Sequence, residues 1–209
     1  MARPYISMNL AISADGKISS SPPRPSGWTS GADHARFLKL RSGVDAILVG
    51  RGTLDADRMT MVVAGNDRQP LRCIVSRTGK LDPHHPIFEK PGGAIHLLVT
   101  GDAAPILDPR VIPHHGALGQ FLEILADKFH VKRLHCEGGG QLIRALAECN
   151  MIDEFHLTLA GHTIFGGAES STATGILGDF FERSLDFNLT HFEPELDSSE
   201  CFLTYTRVR

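Results

Sequence analysis

The sequence has no surplus of either charge. Its 209 residues carry 21 Lys+Arg against 24 Asp+Glu, a net charge of −3. A nucleic-acid binder needs a basic excess to neutralise phosphates, so this balance argues against that class. No apolar run approaches the roughly 18–20 residues of a membrane helix. The start, Met1-Ala2-Arg3-Pro4, turns at once into a strand-like run. It lacks the basic region, apolar core and small-residue cleavage site of a secretory signal. The four cysteines, Cys73, Cys136, Cys149 and Cys201, form no CxxC pair. Zinc-ribbon and thioredoxin-type chemistry need such close pairs. Together these features point to a reduced, cytoplasmic protein with no membrane or nucleic-acid partner.

Several catalytic signatures are missing too. There is no GxSxG elbow, no GKS or GKT phosphate loop, and no GxGxxG followed about 20 residues later by an acid. His84-His85 and His114-His115 are adjacent pairs. Neighbours on a strand point to opposite faces, which chelates poorly, so no metal is expected.

What remains is an ordinary globular composition, 42% hydrophobic and 22% charged, with a mean hydropathy of −0.07. A chain of this length buries one sizeable core. Strand-like runs cover 4–13, 44–50, 71–76, 94–100, 131–136 and 155–160. Helical spacing covers 118–129 and 141–149. Thr29 or Ser30 caps a further helix ending near Gly43, with Ala32, Phe37, Leu38 and Leu40 as its expected core face. Two last strands, 187–193 and 201–208, flank a turn. Strands alternating with helices imply an α/β fold with a mixed, mostly parallel sheet and a C-terminal antiparallel hairpin. No linker divides the chain, so 1–209 reads as one domain.

Four places carry chemistry. Glu137-Gly138-Gly139-Gly140-Gln141-Leu142 follows a strand and opens a helix. Glycines there admit close backbone approach, and the helix start favours an anion. A pyrophosphate cradle and a plain tight turn both satisfy the pattern. Ile164-Phe165-Gly166-Gly167-Ala168 reads as a turn after a strand. Gly50 to Asp57 places Thr53 and Asp57 after a strand end, where open α/β sheets bind ligands, with a helix capped by Thr53 as the plain alternative. Ser76-Arg77-Thr78-Gly79-Lys80 sets a hydroxyl and two cations after another strand, a cluster suited to a phosphate monoester, with an ordinary polar loop as the plain alternative. Trp28, the only tryptophan, follows a proline-rich loop; a lone Trp serves packing, and one beside a loop and a helix start can also stack on a flat ring.

Five stretches in order resemble the reductase domain of riboflavin biosynthesis, a dihydrofolate-reductase-like family. It occurs at the C-terminus of bifunctional deaminase-reductases and as stand-alone enzymes. The stretches are NLAISADGKIS at 9–19, SGWTS at 26–30, LKLRSGVDAILVGRGTLDAD at 38–57, PLRCIVSRTGKLDP at 70–83, and LHCEGGGQLIRALAECNMIDEFHLTLAGHTIFGG at 134–167. The resemblance implies a stand-alone reductase without the deaminase domain, with NADPH as hydride donor and a homodimeric assembly. It places Ala11, Trp28, Thr53, Asp57, Ser76, Arg77, Lys80, Gly138, Gly139, Gly140, Gln141 and Leu142 on the cofactor. Ser26, Arg41 and Glu137 fall on the substrate, a phosphorylated pyrimidine. Asp57 and Glu137 are the candidate catalytic acids.

The chain departs from the family after Asp57. The usual Pro-x-Leu-Thr-Val-Arg is replaced by Arg58-Met59-Thr60-Met61-Val62. Arg58 and Arg68 are the candidates to replace the missing Arg. The implied reaction reduces a ribosylamino group to a ribitylamino group. Two alternatives stand beside it: reduction of another pyrimidine or pteridine, including a dihydrofolate-like one, and a non-catalytic NADPH-binding paralogue.

Overall fold

A computed structural model describes residues 2–20, 27–102, 108–175 and 181–208. These residues form two compact units. One comprises Met1–Tyr5 and Lys39–Cys136, the other Ile6–Leu38 and Glu137–Arg209.

The first unit is built on five parallel strands: β2 (Ala46–Gly50), β3 (Leu71–Ser76), β4 (Ile95–Val99), β5 (Val111–His115) and β6 (Arg133–Cys136). Their order is β5-β4-β3-β2-β6. Gly50 pairs with Val75, and Ser76 with Val99, so the strands end along one common edge. The run Ala46-Ile47-Leu48-Val49 is wholly buried. Continuous apolar composition is what a parallel strand covered on both faces requires. Ile47, Val49, Ile74, Leu97 and Val99 pack with Leu54, Met61, Val63 and Ile87 in one core cluster. Helix α3 (Leu118–Phe129) buries Leu118, Phe121, Leu122 and Leu125. Each such side chain contributes roughly 1.5–3 kcal/mol.

Strand β5 is absent from the sequence expectation. It contains Pro113 and two histidines, and it lies at the edge of the order, where a missing N–H is tolerated. Cys73 and Cys136 are free and buried, where a thiol packs as a small core side chain. Burial raises the Cys73 thiol far above its ordinary value.

The second unit contains β1 (Tyr5–Ser13, from Ile6 onward), β7 (Glu154–Ala160), β8 (Phe187–Glu195) and β9 (Glu200–Arg207). Its order is β1-β7-β9-β8. β1 pairs with β7 in parallel, and β7-β9-β8 is antiparallel. Across both units the strand pairing is mostly parallel with a C-terminal antiparallel hairpin, as the sequence pattern implies. Helix α4 (Gly140–Glu148) buries Leu142, Ile143, Leu146 and Ala147.

Helix α1 (Gly31–Ser42) departs from expectation in its buried face. Ser30 caps it, its Oγ accepting from the Asp33 N–H at 3.1 Å. Yet Asp33 and Arg41 are its buried residues, while Leu38 is 41% exposed. The cause is a polar partner surface. Thr158 Oγ1 donates to Asp33 at 2.5 Å, and Arg36 donates to the Leu203 carbonyl at 2.9 Å. The buried Glu200 carboxylate accepts from both the Ser30 N–H and its hydroxyl. Satisfied polar groups can replace an apolar stripe, because the cost of burial lies in leaving them unpaired.

Candidate active site

In the first unit the candidate residues gather where β2 and β3 end. Helix α2 (Arg51–Asp57) starts directly after β2 and carries Thr53 and Asp57, both partly exposed. Gly50, not Thr53, occupies the N-cap, and it makes no side-chain cap. Arg58 closes the helix with φ 46°, a left-handed conformation.

The loop after β3 is fixed by its own bonds. Ser76 is buried, and its Oγ accepts from the Gly79 N–H at 3.0 Å. The Ser76 and Arg77 carbonyls accept from Thr100 and Gly101. A Cβ on Gly101 would lie 2.4 Å from the Arg77 carbonyl oxygen, so glycine permits this close approach. Ser76 therefore shapes the turn, while Arg77 and Lys80 stay exposed. Among the described residues neither cation has an ion-pair partner. Two unneutralised cations on a rigid turn form a ready anion site.

Arg41 does not join this group. It sits in the last turn of α1, ahead of β2, whereas α2 follows the far end of β2. Five residues at roughly 3.3 Å each separate those ends by about 15 Å. Arg41 is also 7% exposed. Arg68 belongs to the same distant edge, 3.5 Å from Asp45 just before β2. Of the two candidates to replace the missing Arg, only Arg58 is near Asp57.

In the second unit the glycine segment has the geometry of a cradle. Gly138 has φ 93° and Gly139 has φ 29°, values that L side chains rarely adopt. Gly139 caps α4, its carbonyl accepting from the Leu142 and Ile143 N–H groups. Among the described residues the Gly140 and Gln141 N–H groups have no partner. Two orphan donors at the start of a nine-residue helix suit a phosphate. Gly140 has a second reason to be glycine. A Cβ there would meet the Gly175 N at 2.5 Å, so the 172–175 turn packs flush against the helix start.

Gly138 stands beside Leu10 of β1, next to Ala11. Glu137 is 9% exposed and directly precedes the cradle. Trp28 meets the ring of Phe165 edge-on at 4.9 Å. Ser26 lies outside the described residues.

Sequence reasoning missed the residue that fastens this region. Asp15 Oδ2 accepts from the Gly166 N–H at 2.8 Å and Oδ1 from Phe165 at 3.2 Å. Asp15-Gly16 within NLAISADGKIS is a local turn signal. Nothing in it announced a partner 150 residues away. Among the described residues no group of His, Cys, Asp and Glu has metal-binding geometry, and no helix is long and apolar enough to cross a membrane.

Residues 4–193 match the RibD C-terminal domain family. The chain is 31% identical over 190 residues to a 2,5-diamino-6-ribosylamino-4(3H)-pyrimidinone 5′-phosphate reductase of Archaeoglobus fulgidus, covering 81% of this chain and 85% of that protein. Among solved structures, RibD of Acinetobacter baumannii is 23% identical with a TM-score of 0.82, over 99% of this chain. The chain spans 59% of that structure's length. A dihydrofolate reductase from Enterococcus faecalis, complexed with NADP(H), is 14% identical with a TM-score of 0.54 over the whole of both chains. At such low identities the two structures show the fold alone, which is the dihydrofolate-reductase-like α/β fold. With the family match running through nearly all the elements described above, the chain belongs to the RibD C-terminal domain family.

Proposed function

We propose that the protein is an NADPH-dependent reductase that converts the ribosylamino group of a pyrimidine 5′-phosphate to a ribitylamino group. The observation that carries the cofactor half is the start of α4. Two positive-φ glycines precede two N–H groups with no partner among the described residues. This arrangement favours an anion such as a pyrophosphate. Gly138, Gly139, Gly140, Gln141 and Leu142 would hold it, with Ala11 and Trp28 on the same unit. By the family resemblance, Arg77 and Lys80 would meet the 2′-phosphate, which distinguishes NADPH from NADH, and Thr53 would contribute to the cofactor.

The bound cofactor supplies the hydride. The chain supplies binding, orientation and exclusion of water. Glu137, buried and next to the cradle, holds the substrate by hydrogen bonding. Asp57 is the second acid and would accept hydroxyl donors of cofactor or sugar. The substrate class rests on the family and on the name of the Archaeoglobus relative. The substrate phosphate would be met by Arg41, as the resemblance implies, with Arg58 the candidate to replace the Arg missing from the loop after Asp57. A cytoplasmic homodimer completes the proposal.

The test is nicotinamide absorbance during incubation of NADPH with the ribosylaminopyrimidine phosphate. Oxidation that depends on this substrate is expected. Oxidation with dihydrofolate alone would move the protein to a pteridine substrate, and NADPH binding without turnover of either would make it a non-catalytic member.

A further inference from the structure

The 163–175 segment is tied at every few residues to the end of β1. The Ala14 N–H donates to Thr163 O at 2.8 Å, and Ile18 N–H to Ser171 O at 2.8 Å. Lys17 forms a bridge with Thr172. Between these ties the only side chain of the β1 turn that reaches the segment by a hydrogen bond, among the described residues, is Asp15. It takes the Phe165 and Gly166 N–H groups, one on each oxygen. Ser13 Oγ donates to the same carboxylate at 2.5 Å. That bond first, then the Gly166 and Phe165 N–H groups, hold the Asp15 pKa below the ordinary carboxylate value. Gly166 and Gly167 have φ 65° and 76°, so the chain turns sharply where Asp15 holds it.

Both ends of the segment touch candidate site residues. Phe165, whose N–H Asp15 binds, carries the ring that meets Trp28. Beyond it, Ser170 Oγ donates to Gly166 O at 2.7 Å. Thr172 and Gly175 then close on each other through reciprocal backbone bonds of 2.9 and 3.0 Å. That turn is the one packed flush on Gly140.

We propose that Asp15 is a positioning residue of the cofactor site. Its carboxylate fastens the 163–175 segment to β1, and through it sets the Phe165–Trp28 contact and the turn against the first residue of α4. This rests on the reading that the α4 start takes the cofactor pyrophosphate. Asp15 itself is exposed and reaches the cofactor only through the segment it holds.

The experiment uses the full chain, with Asp15→Ala and Ser13→Ala, in two readouts. The first is the emission of Trp28, the single tryptophan, in ligand-free protein whose far-UV dichroism is unchanged. The second is the NADPH dissociation constant. Asp15→Ala is expected to shift the emission and weaken NADPH binding about ten-fold, the factor that one charge-assisted bond is worth. Ser13→Ala keeps the carboxylate but removes its hydroxyl partner, and gives a smaller change in the same direction. Should Asp15→Ala not fold, Ser13→Ala carries both readouts alone. Wild-type binding of NADPH with neither readout altered in the folded variants overturns the clamp and leaves the cofactor reading standing. Absence of NADPH binding by the wild type overturns the cofactor reading, and with it the role given to Asp15.

Discussion

Gly140→Ala separates two physical effects at the cradle. In a free helix the change favours folding by up to about 1 kcal/mol, since alanine is the better helix former. Gly140 is the first residue of α4 and is not among the positive-φ glycines, so no left-handed strain opposes the change. The surroundings do. The new Cβ would lie 2.5 Å from Gly175 N, 2.7 Å from Gly175 Cα and 3.0 Å from Thr172 O. All three are backbone atoms, which cannot rotate away. Ordinary contact begins near 3.4 Å, so the turn and the helix start must part by about 1 Å. Overpacking of this kind costs about 1–3 kcal/mol. The net expectation is a loss of about 1–2 kcal/mol, or roughly 2–8 °C in Tm for a chain of this size. NADPH binding should weaken with it. Gly52→Ala in α2 is the control. Nothing lies within 4 Å of its new Cβ, so it should be neutral or stabilising by about 0.5–1 kcal/mol. The assay is chemical and thermal unfolding of the three proteins beside an NADPH titration. Gly140→Ala as stable as Gly52→Ala, with unaltered cofactor affinity, would refute the reasoning about the turn.

Arg77→Ala should weaken NADPH binding about 10- to 100-fold through loss of charge-assisted bonds, and leave NADH binding nearly unchanged. Equal loss for both cofactors, measured by titration, would remove Arg77 from the 2′-phosphate. Glu137→Gln should lower kcat/KM by roughly ten-fold or more while NADPH affinity stays within about two-fold. A large cofactor loss would place Glu137 on the cofactor instead. Stability should also fall with pH in a defined window. His96 is buried, its Nδ1 3.0 Å from His114 Nε2 beside Phe129. Burial first, and then His114, pull its pKa to about 4 from 6.5. The unfolded chain therefore takes up a proton below about pH 6.5 that the folded chain refuses until about pH 4. Stability is full above 6.5 and declines through that window, by up to about 3 kcal/mol. Denaturant titrations at pH 7 and 4.5 check this, and His96→Leu should flatten the decline. An identical pH slope in that variant would rule His96 out as its source.

The parallel strands were legible because burial on both faces writes itself as short apolar runs. Leu71–Ser76 and Leu118–Phe129 fall where periodicity puts them. Strand β5 was not legible, because an edge strand tolerates Pro113 and histidines that a central strand would not. The buried face of α1 was misread for a related reason. Hydropathy assigns Leu38 to the core and Asp33 to solvent, but Thr158 and Glu200 lie far along the chain and invert that choice. At the site, the glycine run was legible as a strand-to-helix turn, and Gly138 and Gly139 do take positive φ there. Arg41 lies in the last turn of α1 and is buried, a position its sequence spacing does not reveal. Asp15 was hidden because its function lies in partners at 165 and 166, not in its neighbours.

The most direct measurement compares the two pyrimidine substrates side by side. NADPH absorbance is followed with 5-amino-6-(5-phosphoribosylamino)uracil and with its 2,5-diaminopyrimidinone counterpart, and each product is weighed by mass spectrometry. The account predicts NADPH consumption with at least one of them, and a product heavier than its substrate by two hydrogens. NADPH that binds but is not consumed with either, or consumption without a reduced sugar in the product, would contradict it.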